Sequence, residues 1–180
     1  ANGSEALRKQ QRDLYADLDK RIAALESGVQ SAAGVNGGAA AIAGAGVGAT
    51  ASVDDQAVYA RAFEQLKAGD YQVAIEQFQG LMKNYPQSQL SDNAQYWIGE
   101  AYYVTRDYDL AAKAFRAVGE RWPASRKAPD ALLKLGYTQY QQKHLHDARA
   151  TLTDVTQRFP GTDAARLAAE RLQKIAAEGH

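Results

Sequence analysis

The chain has 180 residues, 21 basic and 21 acidic side chains, and no cysteine. The balanced charge leaves no net field to draw it to nucleic acid or anionic lipid, and the absence of thiols excludes disulfide staples, thiolate metal sites and cysteine nucleophiles. The length suits one domain of ordinary size plus an appendage. No stretch reads as a membrane span, so no direct membrane insertion is expected. The sequence begins at Ala1, which is expected of a processed or trimmed form whose signal peptide has been removed.

Residues 1–27 form the first region, and residues 4–27 read as one helix. Ser4 suits an N-cap, and Glu5 falls in the first turn, where the helix dipole favours an acid. Leu7, Leu14, Leu18 and Leu25 are spaced by seven, four and seven residues, which fits a heptad seam whose other places hold Gln11 and Arg21. Two readings are open: self-association through this seam, or a lone amphipathic helix. Residues 28–53 are Gly- and Ala-rich and carry no charge. They read as a flexible tether spanning about 25–30 Å. The glycines at Gly44, Gly46 and Gly48 imitate a phosphate loop, but no strand precedes them and no Lys-Ser/Thr follows.

Residues 54–180 form the third region, and they are periodic. Pro86, Pro123 and Pro160 are 37 residues apart, and each follows an aromatic residue: Tyr85, Trp122 or Phe159. Twelve places before each proline stands Ala74, Ala111 or Ala148; eight before, Phe78, Phe115 or Leu152; five before, Leu81, Val118 or Val155. These places share one face of a helix B. Each proline ends its helix B, because it lacks an amide proton and forces its predecessor out of the α region. Ala62, Gly99 and Gly136 mark a small position on a preceding helix A, where two helices can approach closely. Between the helices, Asp70 and Asp107 suit N-caps, and the hydroxyls of Ser88, Ser125 and Thr162 suit caps of the next helix A. Pro129 predicts that the third helix A starts near Ala128 or has an irregular first turn.

A hairpin with one apolar face must stack on a neighbour, and the last needs a cap. The amphipathic run with Leu167, Leu172 and Ile175 supplies that cap. The pattern resembles the tetratricopeptide repeat, whose usual unit is about 34 residues. The extra residues of each copy fit after the proline, as roughly one more turn at the start of helix A. The expected fold is therefore all-α: a right-handed solenoid of three helix hairpins with a C-terminal capping helix.

In such a solenoid helix A lines the concave surface. Residues three and four apart give three ladders: Tyr59, Tyr96 and Leu133; Phe63, Glu100 and Tyr137; Leu66, Tyr103 and Tyr140. Tyr59, Phe63, Tyr96, Glu100, Tyr103, Tyr137 and Tyr140 are the candidate protein-binding residues, since tyrosine offers wide contact with few rotors. The competing reading packs Phe63, Leu66 and Tyr140 between hairpins. The ladders lack the Lys/Asn pairs that clamp a terminal carboxylate, so an extended or helical segment is the expected ligand.

No catalytic constellation, cofactor or metal site is expected. His144 and His146 are two residues apart near a helix start and face different ways, a poor metal pair. No nucleophile stands with an identifiable base.

The Pro-x-Ser turns, the Tyr96-Trp97-Ile98-Gly99 core, the polar heptad segment Gln10–Leu25 and the glycine-rich tether together resemble the YbgF/CpoB family of periplasmic, Tol–Pal-associated tetratricopeptide proteins. That resemblance covers all three regions. It implies a Gram-negative periplasmic scaffold that trimerises through its coiled coil and binds TolA. It also implies a link to the peptidoglycan-synthesis machinery, coordinating it with outer-membrane constriction at division. A second resemblance, through the same proline-x-serine style, is to outer-membrane assembly lipoproteins; a generic oligomerising adaptor is a third reading.

Overall fold

The computed structural model describes residues 53–178. The seam of Leu7, Leu14, Leu18 and Leu25, and all of the tether except its last residue, lie outside the described residues. Helix α1 (Val53–Ala68) opens one residue before the expected domain boundary. Asp54 and Asp55 stand in its first turn and Lys67 in its last, the signs its dipole favours. Six more helices follow: α2 (Tyr71–Asn84), α3 (Ser91–Val104), α4 (Tyr108–Arg121), α5 (Ala128–Gln141), α6 (Leu145–Arg158) and α7 (Asp163–Ala177). There is no strand among the described residues. Each helix packs on its sequence neighbours, and α5 also meets α7, so the stack grows along one axis.

The B helices α2, α4 and α6 bury the face that their periodicity predicts. Ala74, Phe78 and Leu81, Ala111, Phe115 and Val118, and Ala148, Leu152 and Val155 are all fully enclosed. Each B helix stops alike. The amide of Tyr85, Trp122 or Phe159 bonds to the carbonyl of Leu81, Val118 or Val155, and the following proline can donate nothing further.

The small residue on helix A makes room for a side chain of helix B. A Cβ on Gly99 would lie 2.6 Å from Phe115 Cε1, and one on Gly136 would lie 2.8 Å from Leu152 Cγ. The close approach expected between helices is thus an approach of glycine backbone to the large apolar residue eight places before the proline.

The A helix of each of the three hairpins ends in a Schellman motif. The amides of Asp70, Asp107 and His144 reach back to the carbonyls of Gln65, Tyr102 and Gln139 at 2.9 Å in each case. The preceding residue is left-handed: Gly69 (φ 91°), Arg106 (φ 65°) and Lys143 (φ 66°). Of the two aspartates expected as N-caps, Asp107 accepts from the Leu110 amide at a long 3.5 Å, and Asp70 makes no side-chain cap.

The turns after the prolines differ from the expectation. The extra residues form a separate tight turn ahead of α3 and α5, not a longer helix. In that turn Ser88 and Ser125 Oγ accept from the amides of Leu90 and Lys127 at 3.2 and 2.9 Å. The helices begin three residues after these serines, beyond capping reach. Only Thr162 caps its helix, accepting from the Ala165 amide at 3.1 Å. The hydroxyl partners of Ser125 and Thr162 differ as well. Ser125 donates to the Asp92 carboxylate, whereas the place equivalent to Asp92 for Thr162 is Pro129, which offers no acceptor side chain. Thr162 bonds to the Phe159 carbonyl at 2.7 Å instead, and α7 starts at once. Pro129 falls within the first two positions of α5, where its missing amide costs nothing.

Candidate protein-binding face

Helices α1, α3 and α5 carry the three ladders, one turn apart along each helix. Tyr59, Phe63 and Leu66 are buried, and so are Tyr96 and Leu133. The Tyr59 ring meets Phe63 at 6.4 Å and Phe78 at 5.4 Å, and Tyr96 meets Phe115 at 5.7 Å. Tyr59 and Tyr96 therefore pack against the B helix of their own hairpins, and Phe63, 5.2 Å from the Trp97 ring centre, packs between hairpins as the competing reading allowed. Glu100, Tyr103, Tyr137 and Tyr140 are half-buried, and these four form the part of the ladders that reaches the surface of α3 and α5.

Their neighbours come from one unit further along the chain. Lys134 Nζ lies 2.8 Å from Glu100 Oε2, both side chains being largely buried, and 5.4 Å from the centre of the Tyr103 ring. The Arg171 guanidinium lies 4.8 Å from the Tyr137 ring centre and 5.2 Å from that of Tyr140, distances suited to cation–π attraction. The Tyr140 hydroxyl donates to Glu178 Oε2 at 2.7 Å, and Tyr137 donates to the Leu167 carbonyl at 3.4 Å. Tyr103 also meets Tyr108 edge-on at 5.6 Å.

These surroundings hold the phenols in their neutral form. Burial pushes Tyr96 well above the usual tyrosine range, and the nearby Glu100 and Asp130 carboxylates add to it. Burial raises Tyr103 and Tyr137 too, against the opposing pull of Lys134 and Arg171 respectively. Tyr140 is raised chiefly by its bond to Glu178. Neutral hydroxyls on half-buried rings can donate and accept, which suits polar contact at the rim of an apolar surface.

The sequence pattern assigned no contact to Trp97, Lys134 or Arg171, nor to Lys127, whose buried ammonium lies 5.2 Å from the Tyr96 ring centre. The first three stand 37 residues apart, so the spacing was visible, but their side chains are unlike and no shared residue type marks the position. His144 precedes α6, and His146, the second residue of that helix, is almost fully exposed beside Asp147. Among the described residues no group of three or more His, Asp or Glu side chains could hold a metal ion, and no helix is long and apolar enough to cross a membrane.

Comparison with known proteins gives the same architecture. The tetratricopeptide-repeat family model matches residues 59–126, and a model described as an outer membrane lipoprotein (YfiO) matches residues 104–169. Cell division coordinator CpoB of Pseudomonas putida is 43% identical over 42 residues, which is 23% of this chain and 16% of that protein. The match thus spans about one sixth of that relative's length. The Yersinia enterocolitica type III secretion chaperone SycD, solved with a peptide of the translocator YopD, superposes with a TM-score of 0.61 at 17% identity. It covers 72% of this chain and 98% of the chaperone. The second repeat domain of human RPAP3, solved with an HSP70 peptide, gives 0.54 at 19% identity, covering 66% and 92%. With three proline-terminated hairpins and a fourth A-type helix in register, the chain carries tetratricopeptide repeats and folds as a tetratricopeptide-repeat solenoid.

Proposed function

We propose that this chain is a non-catalytic periplasmic scaffold of the Tol–Pal system, binding TolA and coordinating peptidoglycan synthesis with outer-membrane constriction during cell division. The observation that carries the binding role is the in-register set Glu100, Tyr103, Tyr137 and Tyr140, half-buried on α3 and α5, above the buried rings of Tyr59, Phe63 and Tyr96. Tyrosines on rigid helices give a partner segment wide contact at low entropic cost. The partial identity with a cell division coordinator supports the division role. Residues 1–27 serve self-association through Leu7, Leu14, Leu18 and Leu25, and residues 28–53 tether that region to the repeat domain of residues 54–180.

A second reading, an outer-membrane assembly scaffold, is favoured by the lipoprotein match over residues 104–169. Calorimetric titration of the 180-residue chain with the periplasmic portion of TolA from the same organism separates the two. Saturable binding that weakens about tenfold in Tyr103→Ala and Tyr137→Ala, with helix content kept, supports the first reading and the face. No heat and no complex refutes TolA as partner. Binding that ignores both substitutions refutes the face.

A further inference from the structure

One position of the 37-residue repeat does a different job at each place it occurs. Trp97 on α3, Lys134 on α5 and Arg171 on α7 are equivalent in register. Each reaches back onto the preceding A helix, to the residue 34 places earlier. Trp97 lies 5.2 Å from Phe63, ring centre to ring centre. Lys134 Nζ lies 2.8 Å from Glu100 Oε2. The Arg171 guanidinium lies 4.8 Å from the ring centre of Tyr137. The residue 31 places earlier is touched as well, Tyr103 by Lys134 and Tyr140 by Arg171. The partner position, 34 places earlier, is therefore the same at the three junctions while the chemistry is not: ring on ring, ammonium on carboxylate, guanidinium on phenol.

From these contacts we infer that this position selects which hairpin stacks on which, so that the four A helices assemble in this order and no other. In a solenoid every hairpin offers a similar apolar face, and similar faces can mispair within a chain or between chains. Exchange of partners here is costly. Lys134 set against Phe63 would be a nearly buried ammonium without a counter-charge, since its side chain is only 5% exposed where it stands. Trp97 set against Glu100 would leave a largely buried carboxylate facing an indole. A polar group at a packing seam that costs stability when mispaired is a known way to fix register.

The inference has a direct test, because the first junction can be copied into the second. Glu100→Phe with Lys134→Trp recreates the ring pair, and the new indole would find the Tyr96 hydroxyl where Trp97 finds that of Tyr59, at 2.8 Å. The melting temperature of the full 180-residue chain is followed by circular dichroism. Either single substitution mismatches the pair and is expected to lower it by roughly 10 °C. The matched double variant is expected to regain at least half of that loss. If the double variant melts no higher than the worse single variant, the position is ordinary packing and the inference is overturned. Should a single variant fail to fold, Glu100→Gln and Lys134→Met supply a milder cycle. There the double variant is expected to lose clearly less than the two singles together, and simple addition of the two losses would overturn the inference.

Discussion

Gly99→Ala set beside Gly80→Ala isolates the packing role of the small position, because the helix-propensity term is the same in both. Alanine is favoured over glycine inside a helix by about 0.8–1.0 kcal/mol. At Gly80, within α2, nothing lies within 4 Å of an added Cβ, so that gain should appear whole, as a stabilisation of about 0.5–1 kcal/mol. At Gly99 the added Cβ would lie 2.6, 2.7 and 3.0 Å from three atoms of the Phe115 ring. The ring cannot swing aside freely, since it is 1% exposed and packed against Tyr96. Overpacking of this kind costs about 1–3 kcal/mol, leaving Gly99→Ala net destabilised by up to about 2 kcal/mol. Urea unfolding of the full chain, followed at 222 nm, should move the midpoint up for Gly80→Ala and down for Gly99→Ala. Phe115→Ala, costing about 3–5 kcal/mol alone, should cost less when Gly99→Ala is already present, since the clash is gone and the methyl fills part of the space. Equal shifts in the same direction at Gly80 and Gly99, or strict additivity with Phe115→Ala, would refute the argument that this glycine exists to admit the Phe115 ring.

Arg106→Gly and Lys143→Gly should each stabilise by about 0.5–1 kcal/mol, because both residues sit in the left-handed region that glycine occupies at Gly69; a loss of stability in urea unfolding would contradict this. Thr162→Ala should cost about 1 kcal/mol through its lost cap, and Ser88→Ala less, because its hydroxyl serves a turn outside the helix; the two denaturation midpoints decide. Stability should fall at alkaline pH. Tyr96 has a folded-state value above its unfolded one, so its contribution is complete below about pH 10 and is lost as pH rises through the folded value, at about 1.4 kcal/mol per pH unit. Phenolate absorbance at 295 nm should therefore include a share that appears only together with helix loss; complete tyrosine titration before any change in circular dichroism would contradict it.

The hairpins were legible because periodic burial is written residue by residue. Ala74, Phe78 and Leu81 and their two sets of equivalents recur at helical spacing, and all nine are enclosed. What escaped was written in backbone angles or in pairs. Nothing in the side chains of Arg106 or Lys143 announces a left-handed residue; the requirement comes from the Schellman bonds around them. The serines after Pro86 and Pro123 looked like caps because hydroxyls usually cap helices, yet an intervening turn moves the helix start out of their reach. The ladder residues lie on α1, α3 and α5. Their depth could not be read from one helix, since it depends on what the next unit lays over them: Trp97 against Phe63, Lys134 against Glu100, Arg171 against Tyr137.

The same register explains why α7 behaves as a cap although it is built as an A helix. Arg171 keeps the junction contact backwards, to Tyr137 and Tyr140, and Ala164 and Ala168 are buried against the stack. The forward-facing positions have changed character. Glu170 stands where Tyr96 and Leu133 stand in α3 and α5, and Gln173 stands where Gly99 and Gly136 do; both are exposed. A B helix docks on an A helix by laying a Phe115- or Leu152-like side chain over the glycine. Gln173 would obstruct that side chain, and the Glu170 carboxylate would have to leave water for it to close. The α7 helix thus accepts the third hairpin on one side and presents on the other a surface on which a hairpin of the same kind cannot dock. That is what a solenoid needs to stop its apolar face from recruiting another hairpin.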